Sequence, residues 1–192
     1  MQPTLIRTLS SPAKIGSALR RGLSLVELLC SLTIMAILLG GALPMLNELR
    51  TGMALHATAA LLETDLHFAR SVAITGATSV RLSVLGTAAG GSCYVLYTGA
   101  ANACSCDGRG QTRCEAGARL LRLEEQAGSA GVSLVPLQRS ILFDAHKGTV
   151  TPTATVQVVA ADGRTIHQVV NIMGRVRTCA LAGSVGGLPA CR

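Results

Sequence analysis

The chain has 192 residues with 17 basic, 10 acidic and only four aromatic side chains, none of them tryptophan. So few aromatic residues argue against nucleic-acid binding by base stacking, which requires aromatic platforms. The formal net charge of +7 suggests an anionic partner, but four basic residues precede residue 23, and the remainder has 13 basic against 10 acidic residues, or +3.

An uncharged run long enough to cross a bilayer begins near the N-terminus. Between Gly22 and Asn47, Glu27 is the single charged residue. At about 1.5 Å per residue, a helix over residues 23–46 is about 36 Å long, whereas the hydrocarbon core measures about 30 Å. The sequence therefore predicts one transmembrane helix over residues 23–46.

The charges that flank this run predict its orientation. Arg7, Lys14, Arg20 and Arg21 precede it, and no acidic residue lies among positions 1–22. Because basic flanks stay on the cytoplasmic side, residues 1–22 are predicted to be a cytoplasmic leader. The chain is then a single-pass inner-membrane protein whose C-terminal part lies in the periplasm.

The residues around Glu27 resemble a known export signal. A carboxylate costs roughly 2.5 to 3.5 kcal/mol at the membrane centre, less near the interface, and normally has a partner. Arg21-Gly22-Leu23-Ser24-Leu25-Val26-Glu27 resembles the type III signal of type IV pilins and type II secretion pseudopilins. The resemblance implies cleavage after Gly22 by prepilin peptidase, N-methylation of Leu23, and assembly in which Glu27 pairs with the N-terminal amine of a neighbouring subunit.

Two simpler interpretations of the N-terminus compete with this one. An ordinary secretory signal has an apolar core of about 7 to 15 residues, which is shorter than the run found here. A plain signal anchor fits the length and the charges but leaves Glu27 unexplained.

An amphipathic continuation of the helix is predicted over residues 47–76. Apolar side chains recur at steps of three and four residues and predict a face packed on the core; they are Leu55, Ala59, Leu62, Leu66, Ala69 and Ala73. We expect the helix to reach about Ile74 and to end at Gly76. Pro44 falls where many of the pilins and pseudopilins just named carry a proline that interrupts the helix.

After Gly76 the apolar period changes from helical to two, which predicts a β-rich domain over residues 77–192. The predicted strands cover residues 80–84, 93–98, 119–123, 132–137, 140–143, 155–159 and 165–170. The Asp162-Gly163 pair between the last two is a strong hairpin signal. A long helix followed only by strands predicts an α+β fold in which the helix packs on an antiparallel sheet.

The cysteine pattern agrees with export to an oxidising compartment. Cys93, Cys104, Cys106 and Cys114 lie in an insert over residues 90–117, and their pairing cannot be read from the sequence. Cys179 and Cys191 are predicted to pair and to close the C-terminal tail, residues 174–192. A zinc site from the four insert cysteines is an alternative, although the usual pair of two-residue-separated cysteines is missing.

Catalytic patterns are weak in this chain. Two Asp–His pairs and two serines could imitate catalytic groups: Asp144 with His146, Asp162 with His167, Ser71 and Ser140. None lies in a nucleophile elbow, and no phosphate loop or metal-binding helix motif appears. The sequence predicts neither an enzyme nor a cofactor.

Four further segments extend the resemblance beyond the leader. Residues 68–74, 80–82, 141–144 and 171–177 resemble the GspH/FimT family of minor pseudopilins and minor type IV pilins, whereas the cysteine-rich insert has no counterpart there. The resemblance implies a type IV pilin-like fold. It also implies assembly with other pilins or pseudopilins into a pilus or pseudopilus.

The family resemblance directs attention to Gly174, Arg175 and Arg177. In FimT-like minor pilins a Gly-Arg-x-Arg motif is implicated in binding double-stranded DNA during uptake. On an extended segment the two arginines would project to one side, and each could contact a phosphate. Further candidate contacts are Lys147, Arg164 and Arg192. The competing interpretation is a solvated sheet edge that charged residues protect.

Three functions remain open at this point. The leading hypothesis is a FimT-like minor pilin that supports pilus biogenesis and binds extracellular DNA for natural transformation. The alternative is a GspH-like minor pseudopilin of type II secretion without a role in DNA binding. The third is a purely structural initiation subunit.

Overall fold

The computed structural model describes residues 24–87, 90–107, 111–181 and 185–191. Its helix α1 spans Leu25–Thr75, and β-strands follow. The chain divides into two compact units, of which the first ends at Leu43 and the second spans Pro44–Arg192. The helical assignment continues through Pro44, so the expected interruption is not seen there. A proline removes one backbone N–H, and the hydrogen bonds before and after it can still form.

In the first unit, the described side chains of α1 are exposed. The helix is long and apolar enough to cross a membrane, and none of its most apolar window is buried within the protein. This matches the apolar segment expected at residues 23–46.

In the second unit, α1 buries the apolar face that the sequence predicts. Its members are each at most 3% exposed; they are Leu55, Ala59, Leu62, Leu66, Ala69 and Ala73. The helix ends at Thr75, and the N–H of Gly76 donates to the carbonyl of Val72 at 2.9 Å. The amphipathic period and the position of the terminating glycine are thus confirmed.

The strands alternate with turns throughout the rest of the described chain. They are β1 (Val80–Gly86), β2 (Ser92–Thr98), β3 (Cys104–Cys106), β4 (Thr112–Cys114), β5 (Arg119–Gln126), β6 (Val132–Pro136), β7 (Ser140–Phe143), β8 (Val150–Thr151), β9 (Ala154–Ala160), β10 (Thr165–Val170) and β11 (Val176–Ala180). A short 3-10 helix, Gly128–Ala130, precedes β6.

The strands form two larger sheets instead of the one expected. The first has the order β5-β2-β1-β7-β8 and the second β11-β10-β9-β6, with antiparallel pairing throughout. Alternate residues of β9, including Val156 and Val158, are buried, as period-two patterning requires. One apolar core joins the helix face to the inward residues of both sheets. The α+β class and the antiparallel pairing are therefore confirmed.

Polar contacts connect the helix to each sheet. Asp65, fully buried on α1, forms an ion pair with Arg122 of β5 and accepts a hydrogen bond from the hydroxyl of Tyr94 at 2.8 Å. Burial and the bond to Asp65 raise the pKa of the Tyr94 hydroxyl. On the other sheet, the Gln168 amide donates to the carbonyl of Ala59 at 3.0 Å. Since a buried polar group without a partner is costly, these contacts fix which face of the helix meets each sheet.

The cysteine-rich insert, residues 90–117, contains β2 of the first sheet and the paired strands β3 and β4, a hairpin held by two disulfides. These are Cys93–Cys106 and Cys104–Cys114, so the thiols that the zinc alternative needs are already bonded. The hairpin covers the outer side of the first sheet and forms a second small apolar cluster with Val95 and Tyr97 of β2. This cover explains why β2 is buried on both faces.

The C-terminal disulfide joins Cys179 and Cys191, the pair expected from the sequence. The expected tail, residues 174–192, is however partly a strand, since β11 occupies Val176–Ala180. Beyond it, the N–H of Ala180 donates to the carbonyl of Pro189 at 3.0 Å, and the N–H of Cys191 donates to the carbonyl of Ala180 at 3.0 Å. The tail thus begins after β11 and returns along that strand's free edge.

Candidate functional site

The N-terminal candidates fall at the limit of the described chain. Gly22 and Leu23, with the leader, lie outside the described residues. Glu27 occupies the first turn of α1 and is exposed. A carboxylate is favoured at this end of a helix because the first N–H groups carry a partial positive charge. The expected pairing of Glu27 with the amine of another subunit stays a prediction.

The Gly-Arg-x-Arg segment begins in the turn between β10 and β11. The N–H of Gly174 donates to the carbonyl of Asn171 at 2.9 Å, which makes residues 171–174 a β-turn. The side-chain oxygen of Asn171 accepts the N–H of Arg175 at 2.9 Å, and the carbonyl of Arg175 accepts the N–H of Asn171 at 3.1 Å. Asn at the first and Gly at the fourth position are the residues that a type I turn favours.

The two arginines of the segment lie at the start of β11. Arg175 and Arg177 are both exposed, but only Arg177 lies in β11, opposite Val169 of β10. Arg175 lies one residue before β11, and the bond from the N–H of Asn171 to its carbonyl continues the register in which Val170 faces Val176. That both arginines project to one side of an extended segment stays a prediction.

Gly174 is needed for packing within the protein. Its φ is +70°, a conformation that residues with a Cβ rarely adopt. A Cβ there would lie 2.7 Å from the carbonyl oxygen of Gly148 and 2.9 Å from Cδ and Nε of Arg70. The close approach at Gly174 is made to another turn of this chain, which contains Gly148.

That second turn carries Lys147. The Asp144 carboxylate accepts the N–H of Lys147 at 2.8 Å and the N–H of His146 at 2.9 Å. These two bonds hold the pKa of the Asp144 carboxyl below its ordinary value. Asp144 thus accepts hydrogen bonds from the backbone of His146 and Lys147, which is not the carboxylate–imidazole contact that an acid–base pair requires.

Arg70 connects the two turns to the end of α1. Its Nε donates to the carbonyl of Gly148 at 3.2 Å, and its side chain lies against Gly174. The N–H of Val150 in β8 donates to the carbonyl of Ile172 at 2.8 Å, a second link between the turns. We call Arg70, Lys147, Arg175 and Arg177, together with the turns at residues 144–148 and 171–174, the basic end of the domain.

The basic end forms no ion pair within the part of the chain that the structure describes. The ion pairs found among residues 24–87, 90–107, 111–181 and 185–191 are Arg122 with Asp65 and Arg164 with Asp162. Neither involves the basic end. The carboxylate of Asp144 is engaged by the backbone of its own turn. Arg175 and Arg177, which are exposed, are therefore available to an anion.

Arg164 lies elsewhere and has its own partners. It forms an ion pair with Asp162 at 2.6 Å and donates to the carbonyl of Glu48 at 3.3 Å. It also lies beside Gly52 of α1. At about 1.5 Å per residue, Gly52 and Arg70 are about 27 Å apart along the helix, so the structure does not bring Arg164 to the basic end. Arg192 lies outside the described residues.

The remaining catalytic candidates are not brought together. Asp162 bonds Arg164, while His167 faces Cys179 and Gln157 across the neighbouring strands. Ser71 lies on α1 and Ser140 begins β7. Within the part of the chain that the structure describes, no group of three His, Cys, Asp or Glu side chains could hold a metal ion.

Sequence reasoning missed three residues of this end. Arg70 is the single charged residue among positions 66–75 of α1, and Ile172 and Met173 lie between the Asn and the Gly of the turn. The Asn-x-x-Gly spacing is a turn signal that predicts both apolar side chains at an exposed tip. Arg70 has no comparable signal, since its contact with Gly148 is 78 residues distant in sequence.

Comparisons with known proteins agree with the fold. A family model described as Type II transport protein GspH matches residues 58–174. A second, the prokaryotic N-terminal methylation motif, matches residues 18–43. A pilin-like protein of Thermus thermophilus, named PilA1, is 35% identical over 164 residues, which is 82% of this chain and 97% of the relative. No solved structure matches.

Proposed function

This chain belongs to the GspH family of pilin-like proteins, and we propose that it is a FimT-like minor type IV pilin that binds extracellular double-stranded DNA at its basic end. In this role it supports pilus biogenesis and captures DNA for natural transformation. The observation that carries the proposal is the exposure of Arg175 and Arg177 without an acidic partner in the described chain, beside Lys147.

The chemistry of the basic end suits a phosphate backbone. An arginine presents several N–H donors in a planar fork that fits phosphate oxygens, and Lys147 adds a point charge. Each phosphate contact lowers the logarithm of the binding constant by about 0.9 per logarithmic unit of salt. Binding of this kind is independent of sequence, as uptake of foreign DNA requires.

The same proposal includes the route to the filament. Prepilin peptidase cleaves after Gly22, and Leu23 becomes the methylated N-terminus. The apolar part of α1 holds the subunit in the inner membrane, with the C-terminal domain in the periplasm, until assembly with other pilins. Glu27 then pairs with the amine of a neighbour. Mass spectrometry of the mature protein tests the first step, and an intact residue 1 would contradict it.

The DNA site is tested with the full chain in a nonionic detergent. Fluorescence polarisation against a random duplex over a salt series should show binding, and the Arg175→Ala/Arg177→Ala variant should reduce the salt slope by about 2. The matched control is Arg113→Ala/Arg119→Ala, which removes the same charge from exposed positions of β4 and β5. Equal losses in both variants would mean that only the net charge matters.

A second candidate has its own support. The family model that covers residues 58–174 is described as a type II transport protein, which favours a minor pseudopilin that acts in protein export. In that case the basic end is a charged surface that does not bind DNA. Absence of duplex binding at low salt, together with copurification with pseudopilins, would favour this function.

A further inference from the structure

We propose that Ile172 and Met173 form an apolar wedge that enters the DNA minor groove and separates a base step, while Arg175 and Lys147 hold the phosphates beside it. The inference rests on the proposed DNA binding. It goes further because it assigns contact with the bases to two residues that are not in the Gly-Arg-x-Arg motif.

The first argument is the position of the two side chains. They are the central residues of the turn that Asn171 and Gly174 close, and they are 59% and 62% exposed. The turn is braced by the Asn171 side chain and by the bond from Val150 to the Ile172 carbonyl, at 2.9 Å and 2.8 Å. Two adjacent aliphatic side chains therefore project from a fixed tip.

The second argument is that the residue preferences of β-turns do not explain why Ile172 and Met173 occupy this one. Gly, Pro, Asn, Asp and Ser dominate turns, each for a conformational reason that does not apply to Ile or Met. In the turn at the opposite end of β10, the N–H of Gly163 donates to the carbonyl of Ala160, and the two central positions hold Ala161 and Asp162, a small and an acidic residue. Positions that break a local rule in natural proteins are commonly functional.

The third argument is the charge around the tip. Arg175 follows the turn by one residue, and the Lys147 turn packs against it through Gly148 and Gly174. An apolar tip with basic neighbours suits a polyanion that has an apolar interior. Duplex DNA is such a ligand, whereas the apolar face of another subunit gives the basic groups no partner.

Known minor-groove proteins use the same combination. They insert Ile, Leu, Met or Phe between base pairs and kink the duplex by about 20–90°. The groove is about 6 Å wide before it opens, and the ends of a β-turn are within about 7 Å of each other. A tip of two residues is therefore of suitable size, and it needs no aromatic side chain.

The experiment measures affinity and bending separately. The full chain in nonionic detergent is titrated into a duplex of about 30 base pairs with a fluorophore at each end, a length that resists smooth bending. Binding of the unmodified protein should raise energy transfer between the ends. We expect Ile172→Ser/Met173→Ser to abolish that rise and to lower affinity about tenfold without changing the salt slope.

The matched control is Val135→Ser/Leu137→Ser, which removes two exposed aliphatic side chains, 45% and 59% exposed, at and just beyond the end of β6. It should leave affinity and bending unchanged. Thermal unfolding of each variant shows whether the fold is kept.

The outcomes separate this inference from the function on which it rests. If Arg175→Ala/Arg177→Ala weakens binding while the wedge variant retains affinity and bending, DNA binding stands and the wedge is wrong. If the unmodified protein binds no duplex, both are wrong. If the wedge variant binds DNA normally but no longer copurifies with other pilins, the tip is a subunit contact.

Discussion

The turns at the two ends of β10 each carry a Gly-Arg pair, but the arginine has different partners in the two turns. In the β9–β10 turn, Gly163 precedes Arg164, and Arg164 is paired with Asp162 at 2.6 Å. In the β10–β11 turn, Gly174 precedes Arg175, and Ile172 and Met173 stand where the other turn has acidic and small residues. Arg175 is exposed, with its backbone fixed by Asn171.

The comparison shows that a Gly-Arg pair does not by itself make an anion site. An ion pair with Asp162 must be broken before Arg164 can bind a phosphate, whereas Arg175 has no acidic residue next to it in sequence. The packing also differs, because Gly163 has open space around its Cα and Gly174 is enclosed by Gly148 and Arg70.

The largest expected difference between the two turns is the effect of an added methyl group. Both glycines have positive φ, +87° at Gly163 and +70° at Gly174. Gly163→Ala should cost about 1–2 kcal/mol of unfolding free energy from backbone strain alone. Gly174→Ala should cost about 3 kcal/mol, because the methyl group also meets Gly148 and Arg70.

Thermal unfolding of the full chain in detergent measures this difference. At about 2–4 °C per kcal/mol, Gly174→Ala should lower the midpoint by about 6–12 °C and Gly163→Ala by about 2–8 °C. Equal shifts for the two variants would show that the packing around Gly174 is looser than described.

A smaller difference is expected when each arginine is removed. Arg164→Ala should lower stability only slightly, since the pair with Asp162 is exposed and exposed pairs contribute little. It should leave DNA affinity and its salt slope unchanged. Arg175→Ala should instead reduce the slope by about 1. A loss of slope in Arg164→Ala would place Arg164 in the DNA site.

The smallest effects concern the two aspartates. The Asp144 pKa is lowered by backbone N–H groups of Lys147 and His146, and the Asp162 pKa is lowered chiefly by the Arg164 side chain. Each carboxylate therefore stabilises its turn at pH values above its ordinary pKa of 3.8. This stabilisation is lost as the pH falls through the lowered pKa of the folded protein.

The salt dependence of the two pKa values distinguishes an effect of backbone N–H groups, at Asp144, from an effect of a charged side chain, at Asp162. At about 1 M salt, screening should move the Asp162 pKa back toward its ordinary value more than the Asp144 pKa, because Asp162 depends chiefly on a charged partner and Asp144 on backbone N–H groups. Carboxyl carbon chemical shifts, followed by NMR through an acid titration at low and high salt, report both groups. A larger salt response at Asp144 would contradict the assigned causes.

Much of the fold could be predicted because its signals are local. The buried face of α1 follows from a 3.6-residue period, and the β9–β10 hairpin from the Asp162-Gly163 pair between two alternating runs. Strands β3, β4, β8 and β11 were missed. Strands β3, β4 and β8 have two or three residues each, too few for a period to be visible, and β11 lies in the segment that was assigned to the C-terminal tail.

The candidate site could be predicted only in part. Arg175, Arg177 and Lys147 were identified from the resemblance and from local charge. The sequence did not predict that Arg164 lies away from the basic end. Its place depends on the turn at the other end of β10 and on its bond to the carbonyl of Glu48, 116 residues distant in sequence. Arg70 was missed for the same reason.

The sequence by itself determined the apolar helix, the N-terminal methylation motif, the α+β class and the GspH family, since each is set by residue order and short-range periodicity. The tertiary structure decided which basic residues share a surface and which cysteines pair in the insert. It also decided that Gly174 packs against Gly148. These depend on contacts between segments far apart in the chain, and such contacts form only when the helix and both sheets bury a common core.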